Sequence, residues 1–193
     1  MPKITQKTAD ERRAQIVAAA QRVFASKGLS RATLRDVFQE AGMSAGAVYN
    51  YYQTKDDLVL AVTEAGMAQA LAAMAETSSP EPDLASVVEG FLSALARSQP
   101  SDAPRVDLMI AAEALASPAV QLAVVANRER VLQALVRLVE RRQQKDGVFQ
   151  GHSAQALAEL LYATYQGLIV SVALGEQPDV TGIGKALKAI RLA

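Results

Sequence analysis

The chain has 193 residues, half of them hydrophobic, and its 20 basic side chains balance 20 acidic ones. That much apolar material can build a core, which excludes general disorder, and the length suits one medium domain or a small module on a larger one. Without cysteine there can be no disulfide, thiolate metal site or cysteine nucleophile, and one histidine with no tryptophan leaves little for imidazole chemistry.

The N-terminal Met1-Pro2-Lys3-Ile4-Thr5 has no apolar h-region, so a secretory signal is not expected. Thr8-Ala9-Asp10-Glu11 has the form of a capping box and predicts a first helix over residues 8–27. Its apolar stripe would be Ile16, Ala20, Val23 and Phe24, with Gly28 as the stop. Thr33 can cap a short second helix that turns Leu34, Val37 and Ala41 inward, ended by Gly42. Ser44 caps a third, from Ala45 to Tyr51. Thr54-Lys55-Asp56-Asp57 then opens a long fourth helix running to about Glu76, with its acids in the first turn, where the helix dipole favours them.

Residues 77–82, Thr-Ser-Ser-Pro-Glu-Pro, read as a linker. Helices follow near 83–98, 103–116 and 118–145, the last opened by Ser117-Pro118. After a loop to His152, two more are predicted near 153–174 and 180–191. The longest nearly apolar run, residues 167–175, is too short to cross a bilayer, so a soluble, cytoplasmic protein with no membrane partner is expected. The class is all-α, with about nine helices. Residues 1–60 carry nine basic against six acidic side chains, and the remainder is correspondingly acidic. Such a basic end points weakly to a polyanion partner.

The segment from Thr33 to Tyr52 carries the functional signal. Two short helices meet at a glycine turn, with Val37, Met43 and Val48 placed to lock them together. This is a helix-turn-helix layout, in which the second helix enters the DNA major groove. Spacing alone equally fits an αα-hairpin of other purpose. The residues themselves are more specific: Thr-x-Arg-Asp at 33–36, Ala-Gly-x-Ser at 41–44, Gly-x-x-Tyr-x-Tyr-Tyr at 46–52 and Lys-Asp-Asp-Leu at 55–58. Over about residues 10–60 the chain resembles the DNA-binding head of TetR-family transcriptional regulators.

The resemblance implies a three-helix DNA-binding domain over 1–53 and a ligand-binding and dimerisation domain over 54–193, linked by helix four. Thr33 and Ser44 would offer hydroxyl and backbone N–H groups to phosphates, and Tyr49 and Tyr51 phenolic hydrogen bonds. Lys55 matches the family's phosphate-contacting lysine, and Gly46 would let the recognition helix approach the groove wall. Val48 and Tyr52 read as core. Bases would be met by Ala45, Ala47 and Asn50, with Arg35 reaching in from helix two. Two alanines make no bidentate hydrogen bonds, so DNA shape is expected to carry much of the specificity. Phe38 departs from the family, where a small residue normally lets helix two lie against helix three. It would either tilt the recognition helix or pack toward helix one.

In the body, Leu157, Leu161, Leu168 and Val172 share one face of the helix near 153–174, while Leu160, Val170 and Leu174 lie on another. The small residues Ala163, Gly167 and Ser171, with Ile183 and Leu187 of the last helix, fit either intramolecular packing or a four-helix dimer interface. The family resemblance implies the homodimer, with two heads reading a pseudo-palindrome of double-stranded DNA. Glu113 and Asn127 interrupt apolar stripes and need polar partners, whether internal or in a ligand. A TetR-like body would place a small-molecule inducer among Met67, Phe91, Met109, Tyr162, Tyr165 and Gln166, beside Glu113 and Asn127. No cofactor or metal is expected. The implied function is a ligand-responsive repressor, released when the inducer shifts helix four. Two readings stay open beside it: a helical dimer whose head has lost DNA binding, and a small all-α enzyme, for which no catalytic constellation is visible.

Overall fold

The structure is a computed structural model that describes residues 6–75, 102–146, 150–179, 182–183 and 186. Among these residues there are helices and no strands. Helix α1 spans Gln6–Lys27, α2 Leu34–Ala41, α3 Ala45–Tyr49, α4 Lys55–Ala75, α5 Asp102–Glu113, α6 Pro118–Asp146 and α7 Ala154–Ala173. Seven of the nine expected helices are thus found in sequence order. The linker at 77–82, the helix near 83–98 with Phe91, and most of the helix near 180–191 with Leu187 lie outside the described residues.

Local chemistry sets most boundaries. Gly28 takes φ 79° and ends α1, its N–H donating to the Phe24 carbonyl at 2.8 Å. Thr33 caps α2 through a reciprocal capping box with Asp36. Gly42 takes φ 64°, the left-handed conformation that closes α2, and the next N–H, of Met43, returns to the Phe38 carbonyl at 3.1 Å. Ser44 caps α3 by accepting from Ala47 N. Thr54 and Asp57 exchange bonds at the start of α4: Asp57 N donates to Thr54 Oγ1 at 3.1 Å, and Thr54 N to Asp57 Oδ2 at 2.8 Å. With Gln53 N also donating, these bonds lower the Asp57 carboxyl from its ordinary value, backbone donation from Thr54 contributing most.

Two expectations need correction. Helix α1 is already formed at Gln6, so Thr8 lies inside its first turns and does not cap it. Gln6 and Lys7 are good helix formers and extend the helix past the expected start. Helix α3 ends at Tyr49 rather than Tyr51, because Tyr51 N and Tyr52 N both turn back to the Val48 carbonyl, each at 2.9 Å. That tight turn brings both rings, half-buried, against the core.

The chain forms two compact units. In the first, comprising the residues up to Gly66 together with Val106–Val124, the core joins Ile16, Ala20, Val23 and Phe24 of α1 to Val37 and Ala41 of α2 and Val48 of α3. Leu58, Val59 and Val62 of α4, Val106 and Ile110 of α5, and Val120 of α6 complete it. Polar ties reinforce the α1–α2 contact. Gln15 Nε2 donates to the Ala41 carbonyl at 2.8 Å, Lys27 Nζ to Asp36 Oδ1 at 2.7 Å, and Arg22 pairs with Glu40.

The second unit has its own core of Met67, Val131, Leu132, Leu135, Leu138, Val139, Leu157, Ala158, Leu161 and Leu168, with Ile183 packed against it. Helix α7 buries that stripe and leaves another apolar face uncovered. Leu160 is 53% exposed, Val170 39% and Leu174 69%, with exposed Ala163 and Gly167 between them. Over its 20 residues α7 is long and apolar enough, by length and composition, to cross a membrane, which the run at 167–175 did not reveal. Only 28% of that apolar stretch is buried: one stripe, through Leu157, Leu161 and Leu168, packs in the second core, and the rest of the helix does not.

Candidate nucleic-acid interface

Burial of Val48, wholly enclosed in the first core, fixes which way α3 faces. A five-residue helix is not stable alone, so packing on this anchor must hold it. The opposite side is solvent. Ser44, Ala45, Gly46, Tyr49 and Asn50 are exposed and Ala47 is half-buried, so one surface of α3 carries them all. Thr33 and Arg35 are exposed at the start of α2. No charged side chain occurs from Gly42 to Thr54. Any charge brought to a polyanion therefore comes from flanking elements.

The individual residues are committed to different degrees. The Thr33 hydroxyl donates to Asp36 Oδ2 at 2.8 Å, and the Thr33 N–H donates to the same oxygen at 3.0 Å. Both groups expected to meet phosphate are thus used inside the capping box. Lys27 and then Thr33, by these hydrogen bonds, hold the Asp36 carboxyl down to about 2. Ser44 accepts from Ala47 N at 3.3 Å, which leaves its own proton to donate. Lys55 is half-buried, and its ammonium donates to the Leu29 carbonyl at 2.9 Å, tying the start of α4 to the loop after α1. Two of its three donors remain for other acceptors.

The tyrosines divide. Tyr49 is 47% exposed. Tyr51 packs partly on the core with the Arg13 guanidinium 5.4 Å over its ring. Tyr52 is half-buried as expected, and burial raises its phenol above the ordinary value. Arg13 is a basic group the sequence reading missed; its place one turn before the core stripe of α1 gave no specific signal. Phe38 packs on the first core, and its ring meets Tyr49 of α3 edge-to-face, with centroids 5.2 Å apart and planes at 67°.

The residues expected to hold a ligand are only partly brought together. Met67, Tyr162 and Tyr165 pack on the second core. Asn127, also in that unit, is buried and accepts from Arg130 at 2.6 Å, so its polar partner is internal. Tyr162 lies under the Arg128 guanidinium at 5.5 Å. Gln166 is exposed, pointing away from the core it was expected to line, because the buried stripe of α7 runs through Leu161 and Leu168 instead. Met109 and Glu113 are half-buried in the first unit. Among the described residues, no three His, Cys, Asp or Glu side chains are placed to hold a metal ion.

Comparison with known proteins bears on both units. Residues 16–62 match the family model of bacterial regulatory proteins of the tetR family, and residues 80–190 match that of the BetI-type transcriptional repressor C-terminal region. The chain is 41% identical over 64 residues to the regulator TtgR of Pseudomonas putida, covering 33% of this chain and 30% of that one. Matches to such curated relatives span about a third of their length. Among solved structures, Salmonella enterica GusR superposes with a TM-score of 0.79 at 21% identity, covering 100% of both chains. FadR of Bacillus subtilis, solved with stearoyl-CoA, gives 0.76 at 17% identity, covering 93% of this chain and 97% of that one. At such identities the superpositions show the fold alone.

Proposed function

The chain belongs to the TetR family of helix-turn-helix transcriptional regulators, and from that premise we propose that it is a homodimeric repressor released from its operator by a small organic ligand. The observation that carries the DNA-binding part is the face of α3. Val48 anchors the helix, and Ser44, Ala45, Gly46, Tyr49 and Asn50 are turned outward together. Ser44 and Tyr49 donate to phosphates, Asn50 and Arg35 meet bases, and Ala45 and Ala47 make apolar contact with thymine methyl groups. Lys55 supplies the nearby positive charge, with Arg13, itself paired with Asp10 at 3.0 Å, beside Tyr51. With so few groups able to hydrogen-bond bases, deformability of the operator carries a large share of the specificity.

The uncovered face of α7 supports the dimer. Leu160, Ala163, Gly167, Val170 and Leu174 are spaced three, four, three and four residues apart, the pattern of a helix-helix seam. Two heads related by a two-fold axis would read a pseudo-palindrome. We assign DNA binding to residues 1–53 and ligand binding and dimerisation to 54–193, with α4 contributing to both units. Ligand binding is supported by the family and by FadR having been solved with stearoyl-CoA. The ligand of this chain would enter the second unit, where Met67, Tyr162 and Tyr165 mix apolar surface with phenols. The proposed work on double-stranded DNA is consistent with a cytoplasmic protein.

The test is selection of bound duplexes from sheared genomic DNA by the purified chain. Recovery of a pseudo-palindrome whose log affinity falls linearly with log salt supports the reading. Enrichment of nothing at low salt, by protein shown by native mass spectrometry to be free of small molecules, refutes it.

A further inference from the structure

Phe38 and Tyr49 sit on different helices of the head and touch through their rings, 5.2 Å apart and inclined by 67°. Phe38 is half-buried and packs on the first core, so its ring has a fixed seat. Tyr49 has none of its own: it is the last residue of a five-residue helix, 47% exposed, and among the described residues its hydroxyl has no hydrogen-bond partner. A solvent-facing tyrosine at the end of so short a helix would ordinarily sample several rotamers. The edge-to-face contact favours one of them through the ring quadrupoles.

From this geometry we propose that Phe38 is a positioning residue for operator recognition, holding Tyr49 ready to donate its phenolic hydrogen bond to the DNA backbone. The proposal rests on the DNA-binding reading above. Position 38 lies on α2, behind the recognition surface, and acts only through Tyr49. An alanine there could fill the helix contact but could not restrain a ring. Preorganisation of this kind removes an ordering cost from binding. Because phosphate contacts carry no sequence information, the effect is uniform across operator variants.

The experiment is a double-mutant cycle, read by fluorescence anisotropy on the duplex recovered by selection. Phe38→Leu keeps an apolar side chain of similar volume and removes the ring, and Phe38→Met is the second variant should leucine impair folding. Each is paired with Tyr49→Ala. The expected result is a loss of roughly 2- to 10-fold in affinity from either Phe38 variant, the size of an aromatic pair. That loss disappears when Tyr49 is already alanine. In parallel, 3-fluorotyrosine labelling gives a ¹⁹F resonance for Tyr49, assigned with Tyr49→Phe, which should move when the Phe38 ring is removed in the DNA-free protein. Filling of the core alone would leave the Phe38 loss unchanged when Tyr49 is already alanine. Additive losses in a chain that binds DNA, or an unmoved Tyr49 resonance, overturn the proposal alone. A wild-type chain that binds no duplex overturns the DNA reading and the proposal together.

Discussion

Gly46→Ala separates the demands of folding from those of DNA binding. A methyl group at Gly46 meets no described atom within 4 Å, and the backbone there is not in the left-handed region that excludes side chains. The folded chain therefore accepts alanine without moving. Alanine is also the better helix former, by up to about 1 kcal/mol in a helix interior. Gly46 lies in the first turn of α3, where about 0.5 kcal/mol of added stability is the reasonable expectation. On DNA the sign reverses. The methyl projects from the exposed face that carries Ser44, Ala45 and Tyr49. Holding that face about 1 Å further from the duplex lengthens two charge-assisted hydrogen bonds beyond useful geometry, a loss of roughly 2–3 kcal/mol in total, or about 30- to 150-fold in affinity.

The assay is paired. Thermal unfolding followed by circular dichroism should place Gly46→Ala slightly above the parent, while anisotropy titration on the selected operator shows the weaker binding. Both measurements use the same preparation, so a folding defect cannot pass for a binding one. Unchanged operator affinity in the more stable variant would refute the reasoning. It would mean that α3 does not approach the groove wall at this point.

Three further outcomes are expected. Asp36 is held at about 2 in the folded protein, below its ordinary 3.8, so the stability it contributes is present above about pH 4 and is lost as pH falls toward 2. Melting temperatures measured across that range should lose part of their slope in Asp36→Asn. Gly167 stands in open space on the uncovered face of α7, so Gly167→Leu should leave the single chain folded yet shift sedimentation velocity from dimer to monomer. A dimer that persists unchanged would move the interface elsewhere. Phe24 is completely buried at the centre of the first core, and Phe24→Ala should cost about 3–5 kcal/mol in urea unfolding, whereas a loss under 1 kcal/mol would contradict the packing described.

What the sequence disclosed and what it concealed divide along physical lines. Caps and turns were legible because each is settled within four or five residues. Thr33 with Asp36, Ser44 with Ala47, Thr54 with Asp57, and the positive φ of Gly28 and Gly42 depend only on their immediate neighbours. Where a local rule competed with its surroundings it failed. Thr8 and Glu11 have the right spacing for a cap, but residues before them already continue the helix. Contacts between helices were not legible, since periodicity names a face and not the atom it meets. Lys55 reaches back 26 positions to the Leu29 carbonyl, and Phe38 meets Tyr49 across the turn.

The ligand residues were the hardest to read, for a related reason. Met67, Tyr162 and Tyr165 satisfy the demands of a pocket lining and of a core equally well, and all three do pack on the second core. Asn127 pointed to a buried polar partner, and Arg130, three residues along the same helix, supplies one. A recognition surface is different in kind. Its side chains face outward on an element too short to stand alone, as α3 is, and Tyr49 keeps nearly half of its surface in solvent beside its ring contact with Phe38. That is why the outward face of α3 was legible in the sequence as a candidate for DNA contact, whereas pocket-lining and core residues read alike.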